Sequence, residues 1–377
     1  MKSEIMVVYV GPAAAVPGGI SSLQEKIISH LPPHIKATRV ATCSAYTGYD
    51  QSYQFSIVQL FVFLRSLIVV SLLAVLHPHT IFHVHLAQGG STLRKGMVCV
   101  LLRLLGRAYV VHAHADAAFH RGVPTRVRRV LWWGFGGAQY VITLTQLWRD
   151  YYISNLKVPS YKLLVLPNPA VLPQFRSRRQ DCERTKILFL GRVGERKGIF
   201  DLIQAMAALP DDVKSSCHLT VAGDGDLKAA SSLAERLDCF GQVSILGWVS
   251  RREVDMLLEE ADILALPSHM EGMAMALLEA MAAGLAVVTS SAGGSDEFLT
   301  ADHNCILVKP GDVQGIAGVL AGLARDPHLR QRLGAEARTT AEYFSIDRYV
   351  AKLTCLYEEL ASQTPGSGRI QAEFASK

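Results

Sequence analysis

The second half of the chain alternates regularly between short apolar runs and helical patterns. KILFLG (186–191), LTVAG (219–223), VSILG (243–247), DILALP (262–267), AVVTS (286–290) and CILV (305–308) each read as a strand. Helical periodicity fills the spaces near 198–208, 227–238, 251–260, 273–283 and 312–324. Apolar strands separated by helices predict a parallel sheet covered on both faces. The first half keeps the same rhythm, with strands predicted near 5–10, 36–41, 80–85, 108–113, 138–143 and 162–166. At 377 residues the chain is too long for one ordinary domain, and two doubly wound α/β domains in succession are the simplest reading. The first is expected over 1–172 and the second over 185–344, with the polar stretch PQFRSRRQDCERT (173–185) linking them. A last helix is predicted at 345–360, and the tail 361–377 is expected to be disordered.

One segment interrupts the rhythm. FSIVQLFVFLRSLIVVSLLAVL (55–76) is long enough to cross a bilayer, yet it carries Arg65 near its centre, which opposes insertion by ~2.5–3.5 kcal/mol. It also falls where the alternation needs a helix, so a buried helix, partly touching lipid, is the expectation. The N-terminal MKSEIMVVYVGPAAAV has an apolar run too short for a signal peptide and reads as a first strand.

Charge adds a partner to this picture. Residues 1–173 hold 16 Lys and Arg against 5 Asp and Glu, while the remainder holds 22 against 28. A basic half joined to an acidic half suggests that the first domain meets something anionic, such as a phospholipid surface or nucleic acid. The seven cysteines (43, 99, 182, 217, 239, 305, 355) form no CxxC pair, which favours reduced thiols in a cytosolic setting.

Candidate chemistry concentrates in five places. SHMEGMAMALLEAMAAGLAVV (268–289) carries Glu271 in the loop leaving a strand and Glu279, placed two turns inside an otherwise apolar helix that Gly284 ends. A buried carboxylate is costly unless something bonds to it, and the two are too far apart to share one small ligand. In GRVGERKG (191–198), Arg192, Arg196 and Lys197 crowd a helix start, where the macrodipole disfavours cations. A bound diphosphate would relieve that conflict; solvated surface charge is the alternative. GPAAAVPGGISSLQEKI (11–27), with Gly18 and Gly19, reads equally as a phosphate-approaching loop or as a tight turn. The doublets HVH (83–85) and HAHAD (112–116) put histidines on one strand face; metal is conceivable there, but no metal-type spacing accompanies them, and none is expected. GDGD (223–226) reads as turn and cap residues. In HRGVPTRVRRVLWWGF (120–135), Arg121, Arg126, Arg128 and Arg129 precede Trp132 and Trp133, a mixture suited to an anionic membrane surface. No nucleic-acid motif accompanies it, so no nucleic-acid partner is expected.

Together, PGGI (17–20), FHVH (82–85), VVHAH (110–114), LPNP (166–169), FLGRVGERKG (189–198), VAGDGD (221–226), LGWV (246–249), PSHMEGMAMALLEAMAAG (267–284) and LVKPGD (307–312) resemble the retaining glycosyltransferases of family 4, the glycosyl transferases group 1 with the GT-B fold. The resemblance covers nearly the whole chain and is strongest from 186 to 310. It implies two Rossmann-like domains facing a cleft, with the final helix crossing back to the first. It implies a nucleotide-sugar donor, UDP- or GDP-linked, held mainly on the second domain with no metal required. Arg192 and Lys197 would neutralise the diphosphate, Glu279 would take the ribose hydroxyls, and Glu271 would contact the transferred sugar beside Gly272, Met273 and Ala274. Backbone at Gly247 and Val249 would meet the base, Gly18 and Gly19 would approach the phosphates, and His114 would lie by the sugar.

The chain departs from the family where Gly272-Met273-Ala274 replaces Gly-Phe-Gly, where Gly284-Leu285-Ala286 replaces Gly-x-Pro, and at Pro167-Asn168-Pro169. The implied activity is a hexosyl- or N-acetylhexosaminyl-type transfer to a lipid-linked saccharide or glycolipid. It would take place at the cytoplasmic face of the cell membrane, in bacterial surface-polysaccharide assembly. A sugar-nucleotide 2-epimerase of the same fold, or a non-catalytic nucleotide-sugar-binding protein, are the rival readings.

Overall fold

The computed structural model describes residues 4–14, 16, 18–43, 57–87, 90–114, 125–173 and 184–362; within the helix 125–136 it describes the side chains of 129 and 132–136. Arg121, most of the expected linker and the tail beyond 362 lie outside these residues, as do the side chains of Arg126 and Arg128. The chain divides into two compact units, Met1–Asn168 with Ile346–Lys377, and Pro169–Ser345. The boundary therefore falls at 168/169, ahead of the polar stretch expected to link the domains.

Unit 1 is built on β1 (Ile5–Gly11), β2 (Ile35–Ala41), β3 (Ile81–Leu86), β4 (Tyr109–Ala113), β5 (Tyr140–Thr143) and β6 (Leu163–Val165). These six pair in parallel in the order β2-β1-β3-β4-β5-β6. The helices are α1 (Gly19–His30), α2 (Ile57–Leu76), α3 (Gly90–Leu104), α4 (Thr125–Gly136) and α5 (Gln146–Leu156). β3 and β4 are buried along their whole length, as expected of central parallel strands covered on both faces.

Unit 2 repeats the plan with β7 (Thr185–Leu190), β8 (Cys217–Ala222), β9 (Val243–Gly247), β10 (Ile263–Leu266), β11 (Ala286–Thr289) and β12 (Ile306–Leu307). Its order is β12-β11-β10-β7-β8-β9, again all parallel. The helices are α6 (Ile199–Ala207), the single turn α7 (Asp211–Lys214), α8 (Leu227–Arg236), α9 (Arg251–Glu260), α10 (Met275–Ala282), α11 (Val313–Arg325) and α12 (Pro327–Glu342). From β7 the chain winds outward through β8 and β9, then returns to the other side with β10. Ligands in such sheets bind at the carboxyl ends of the strands flanking this reversal. In unit 2 those are the ends of β7 and β10; in unit 1 they are the ends of β1 and β3.

α12 was not expected. Its sequence is polar, but Asp326 caps it through its side chain and Pro327 occupies the first turn, a recognised start signal. It lies close against the end of α10, where a Cβ on Gly334 would sit 2.2 Å from the Gly284 carbonyl oxygen. The last helix, α13 (Ile346–Ser362), packs on α1, β1 and β3 of unit 1. Tyr357 on its buried face hydrogen-bonds Tyr9 (2.8 Å) and His83.

Candidate functional site

The loops at the β7 and β10 ends of unit 2 interlock through close backbone contacts. After β7, Gly191 bonds back to the Ala222 carbonyl at 2.9 Å and Val193 to the Asp224 carbonyl at 2.6 Å. Glu195–Lys197 form a 3-10 turn, and Gly198 then enters α6 with φ 72°. Only glycine fits there, because a Cβ would lie 2.1 Å from the Pro267 carbonyl oxygen. After β10, His269 donates its backbone N–H to the Arg196 carbonyl at 2.9 Å. The two loops therefore hold each other by backbone contacts before any side chain is considered.

Glu271 sits at this junction. Its carboxylate pairs with the Lys197 ammonium, both side chains being 12% exposed. It accepts a hydrogen bond from Ser268 Oγ at 3.1 Å, and Arg196 lies 3.7 Å away. Burial pulls the Lys197 pKa below its usual value, and the Glu271 carboxylate works against that. Arg192 faces Asp224 at 3.7 Å. Arg196 and Lys197 thus lie in the 3-10 turn that runs directly into α6, so cations do crowd this helix start, and all three cations of GRVGERKG meet carboxylates.

Glu279 is also held. α10 begins at Met275, so Glu279 is its fifth residue, about one turn in rather than two. It is buried and pairs with Arg251, the first residue of α9. The sequence reading missed Arg251, although a cation in a helix's first turn was the very signal used for Arg192 and Lys197. Around it, Ser250 and Glu253 form a capping box, which fixes the α9 start. Gly284 ends α10 at φ 71°, with Gly284 N–H to the Met281 carbonyl (2.9 Å) and Leu285 N–H to the Ala280 carbonyl (3.1 Å). This is the Schellman pattern.

The remaining unit 2 candidates line the same strand ends. Met273 and Ala274 are buried, Val249 is buried, and Gly247 closes β9 at φ 74°. Glu271 and Gly272 turn their carbonyls toward Gly293, where a Cβ would lie 2.0 Å from the Glu271 oxygen. In GDGD, Asp226 caps α8 and Asp224 belongs to the Arg192 pair, in keeping with a structural role.

Unit 1 gathers His83, His85, His112 and His114 on one face at β3 and β4, with His85 in register with His112. His83 Nε2 meets His112 Nδ1 at 3.2 Å, and His85 Nδ1 meets His114 Nε2 at 2.9 Å. Burial pushes His83 down to about 3; burial, with the His83 imidazole and Lys95 nearby, does the same to His114. The cluster is therefore neutral at physiological pH, a hydrogen-bonding group rather than a cationic one. His83, His85 and His112 each bring a ring nitrogen within 4.8 Å of the others. In this arrangement His83 turns Nδ1 to Tyr357 and Nε2 to His112. Gly18 precedes α1 at φ 146°, with open space where a Cβ would stand, and Gly19 begins the helix.

Of the basic face expected on α4, Arg129 and the two tryptophans have described side chains. Arg129 is exposed, and Trp133 is exposed with the Arg103 guanidinium 4.3 Å from its ring centroid. Trp132 turns inward against the unit 1 core. α2, expected to be buried, is largely uncovered, and the side chains it buries are Gln59, Phe63, Ser66, Val70 and Ala74.

Residues 173–340, almost the whole of unit 2, match the family model described as glycosyl transferases group 1. Unit 2 belongs to that family. A D-inositol 3-phosphate glycosyltransferase of Xylanimonas cellulosilytica is 32% identical over 48% of this chain and 43% of its own length. The amylovoran biosynthesis glycosyltransferase AmsK of Erwinia amylovora is 30% identical over 51% of this chain and 49% of its own length. The chain thus spans about half the length of the curated relatives it matches. The crystal structure of Anabaena Alr3699/HepE in complex with UDP covers 94% of this chain and all of its own, with a TM-score of 0.74 at 18% identity. That likeness extends to unit 1 as fold, and the two six-stranded parallel sheets are those of the GT-B glycosyltransferases.

Proposed function

We propose that the chain is a retaining glycosyltransferase that needs no metal at its donor site. It would move a hexosyl or N-acetylhexosaminyl group from a nucleoside-diphosphate sugar to a lipid-linked saccharide or glycolipid, at the cytoplasmic face of a bacterial membrane. The observation that carries this reading is the clustering of Lys197, Arg196 and Glu271 at the strand ends flanking the sheet reversal of unit 2. The leaving group is a nucleoside diphosphate whose negative charge grows as the glycosidic bond breaks. Fixed cations aimed at that charge lower the barrier electrostatically, the part a metal plays elsewhere. Lys197 and Arg192 fill that role here, with Glu271 holding Lys197 charged and in place until the diphosphate arrives. Glu271 then stands against the transferred sugar, while Glu279, oriented by Arg251, takes the ribose hydroxyls. The surface-polysaccharide setting is supported by the similarity to AmsK, a glycosyltransferase of amylovoran biosynthesis.

A thermal-shift panel with UDP, GDP, ADP and CMP, each in EDTA and in magnesium, tests the donor half. A ligand at 100 times its dissociation constant adds ~2.7 kcal/mol of apparent stability. Stabilisation by one nucleoside diphosphate, equal in EDTA and magnesium, is expected. Stabilisation only with magnesium would overturn the metal-free reading.

A further inference from the structure

α2 carries two apolar stripes on opposite sides. One, with Phe63, Ser66, Val70 and Ala74, is buried as the helix packs on β2 and α3. The other, with Ile57, Phe61, Leu64, Ile68, Leu72 and Val75, is exposed along the whole helix; Phe61 is 75% exposed and Ile68 61%. Over 20 residues this stripe runs roughly 30 Å at ~1.5 Å per residue. Single exposed apolar residues are ordinary, but a continuous stripe marks a binding surface. The neighbouring helices also carry exposed apolar residues. α3, packed between α2 and α4, exposes Leu93, Met97 and Leu104, and α4 exposes Trp133 beneath Arg103.

We infer that α2 lies flat in one leaflet of a lipid membrane, its outer stripe among the acyl chains and Arg65 reaching the headgroup phosphates. Charge selects lipid over a second copy of the chain. Arg65 is exposed near the middle of α2, and the helix contains no Asp or Glu. Two antiparallel copies joined on this stripe would bring Arg65 against Arg65 with no carboxylate on either helix to pair with it. A phosphate-bearing surface supplies the missing anions, and the residues 1–173 that surround α2 are strongly basic. A tryptophan beside an arginine at the edge of an apolar surface is the chemistry of the membrane–water interface. Crossing the bilayer is excluded by the packed inner stripe, which would have to leave β2 and α3. The inference deepens the membrane attachment proposed above and rests on that reading. It moves the main contact from the arginines of α4 to the apolar face of α2.

The test is flotation of the full chain with vesicles of phosphatidylcholine and phosphatidylglycerol, without donor or acceptor, at 0.1 and 0.5 M salt. Binding that survives the higher salt is expected, because insertion is not screened as surface charge is. Ile68→Asp with Leu72→Asp should lower the bound fraction at least tenfold while leaving the melting temperature and the nucleoside-diphosphate thermal shift unchanged. In a second variant, Ile68→Trp should gain a blue-shifted emission that brominated acyl chains quench. Binding abolished at 0.5 M salt would return the contact to the α4 arginines and overturn the inference. So would an α2-dependent dimer by sedimentation equilibrium without vesicles. Vesicle binding by a protein that transfers no sugar would leave this inference standing and sink the enzymatic reading, so the two fail separately.

Discussion

Lys197→Met removes the cation that holds Glu271. Both side chains are 12% exposed, so the pair counts as buried, and breaking such a pair from one side costs ~3–5 kcal/mol. Two groups soften the loss. Ser268 keeps its 3.1 Å hydrogen bond to the carboxylate, worth ~1 kcal/mol, and Arg196 at 3.7 Å supplies part of the charge from a half-exposed position. The expected loss is therefore about 2–3 kcal/mol, or roughly 4–12 °C for a domain of this size. The double variant Lys197→Met with Glu271→Gln leaves no stranded charge and should recover at least half of the loss. Urea denaturation and thermal melts of the wild type, the two single variants and the double complete the cycle. A Lys197→Met variant within ~0.5 kcal/mol of wild type, the scale of ordinary surface changes, would refute the buried pair. So would a double variant whose losses simply add. Function should divide differently: Lys197→Met is expected to raise the nucleoside-diphosphate dissociation constant about tenfold, ~1.4 kcal/mol. Glu271→Gln should bind the diphosphate nearly as well and lose turnover.

Arg251→Met should destabilise unit 2 by about 1–3 kcal/mol, below the full buried-pair cost because the arginine is itself half exposed; Glu279→Gln on top should restore part of it, and an unchanged urea midpoint would count against the pairing. Gly198→Ala, forced to hold φ 72° with its methyl against the Pro267 carbonyl, should cost more than ~1 kcal/mol and weaken diphosphate binding by moving Lys197; a neutral melt would contradict that. Acid should unfold unit 1 early, because burial lowers the pKa of His83, and burial with the neighbouring imidazoles lowers His85 and His112. The unfolded chain takes up protons below about pH 6.5 that the folded chain refuses until well below it, down to about 3 at His83, so stability falls as pH falls through that window. Each histidine contributes up to ~1.4 kcal/mol per pH unit. Urea midpoints at pH 7, 6, 5 and 4 would show it, and a flat profile would not fit a neutral buried cluster.

Much of the fold is written in local pattern. β7, β8 and β9 begin and end within two residues of KILFLG, LTVAG and VSILG, because apolar β-branched runs between helices admit few other structures. The order of the strands is not local. Nothing in either half says that β10 pairs with β7, since pairing depends on which helix crosses which face. Glu271 and Lys197 stood out because charge in an apolar or dipole-disfavoured setting is a conflict visible in one dimension. Their mutual pairing was not visible, being set by the Gly198–Pro267 contact between two loops. α2 was misread for a related reason. With both of its faces apolar, periodicity cannot tell a buried helix from one turned half outward. Trp132 and Trp133 look equivalent in sequence, yet one faces the core and the other the surface.

The most direct measurement is release of nucleoside diphosphate by the purified chain on vesicles in EDTA, with and without a polyprenyl-diphosphate-linked saccharide, across UDP- and GDP-sugars. Release is expected from one donor class, dependent on the acceptor and lost in Glu271→Ala. Donor conversion without acceptor would make the protein an epimerase, and diphosphate binding with no turnover for any pair would make it a binding protein; either would contradict glycosyl transfer.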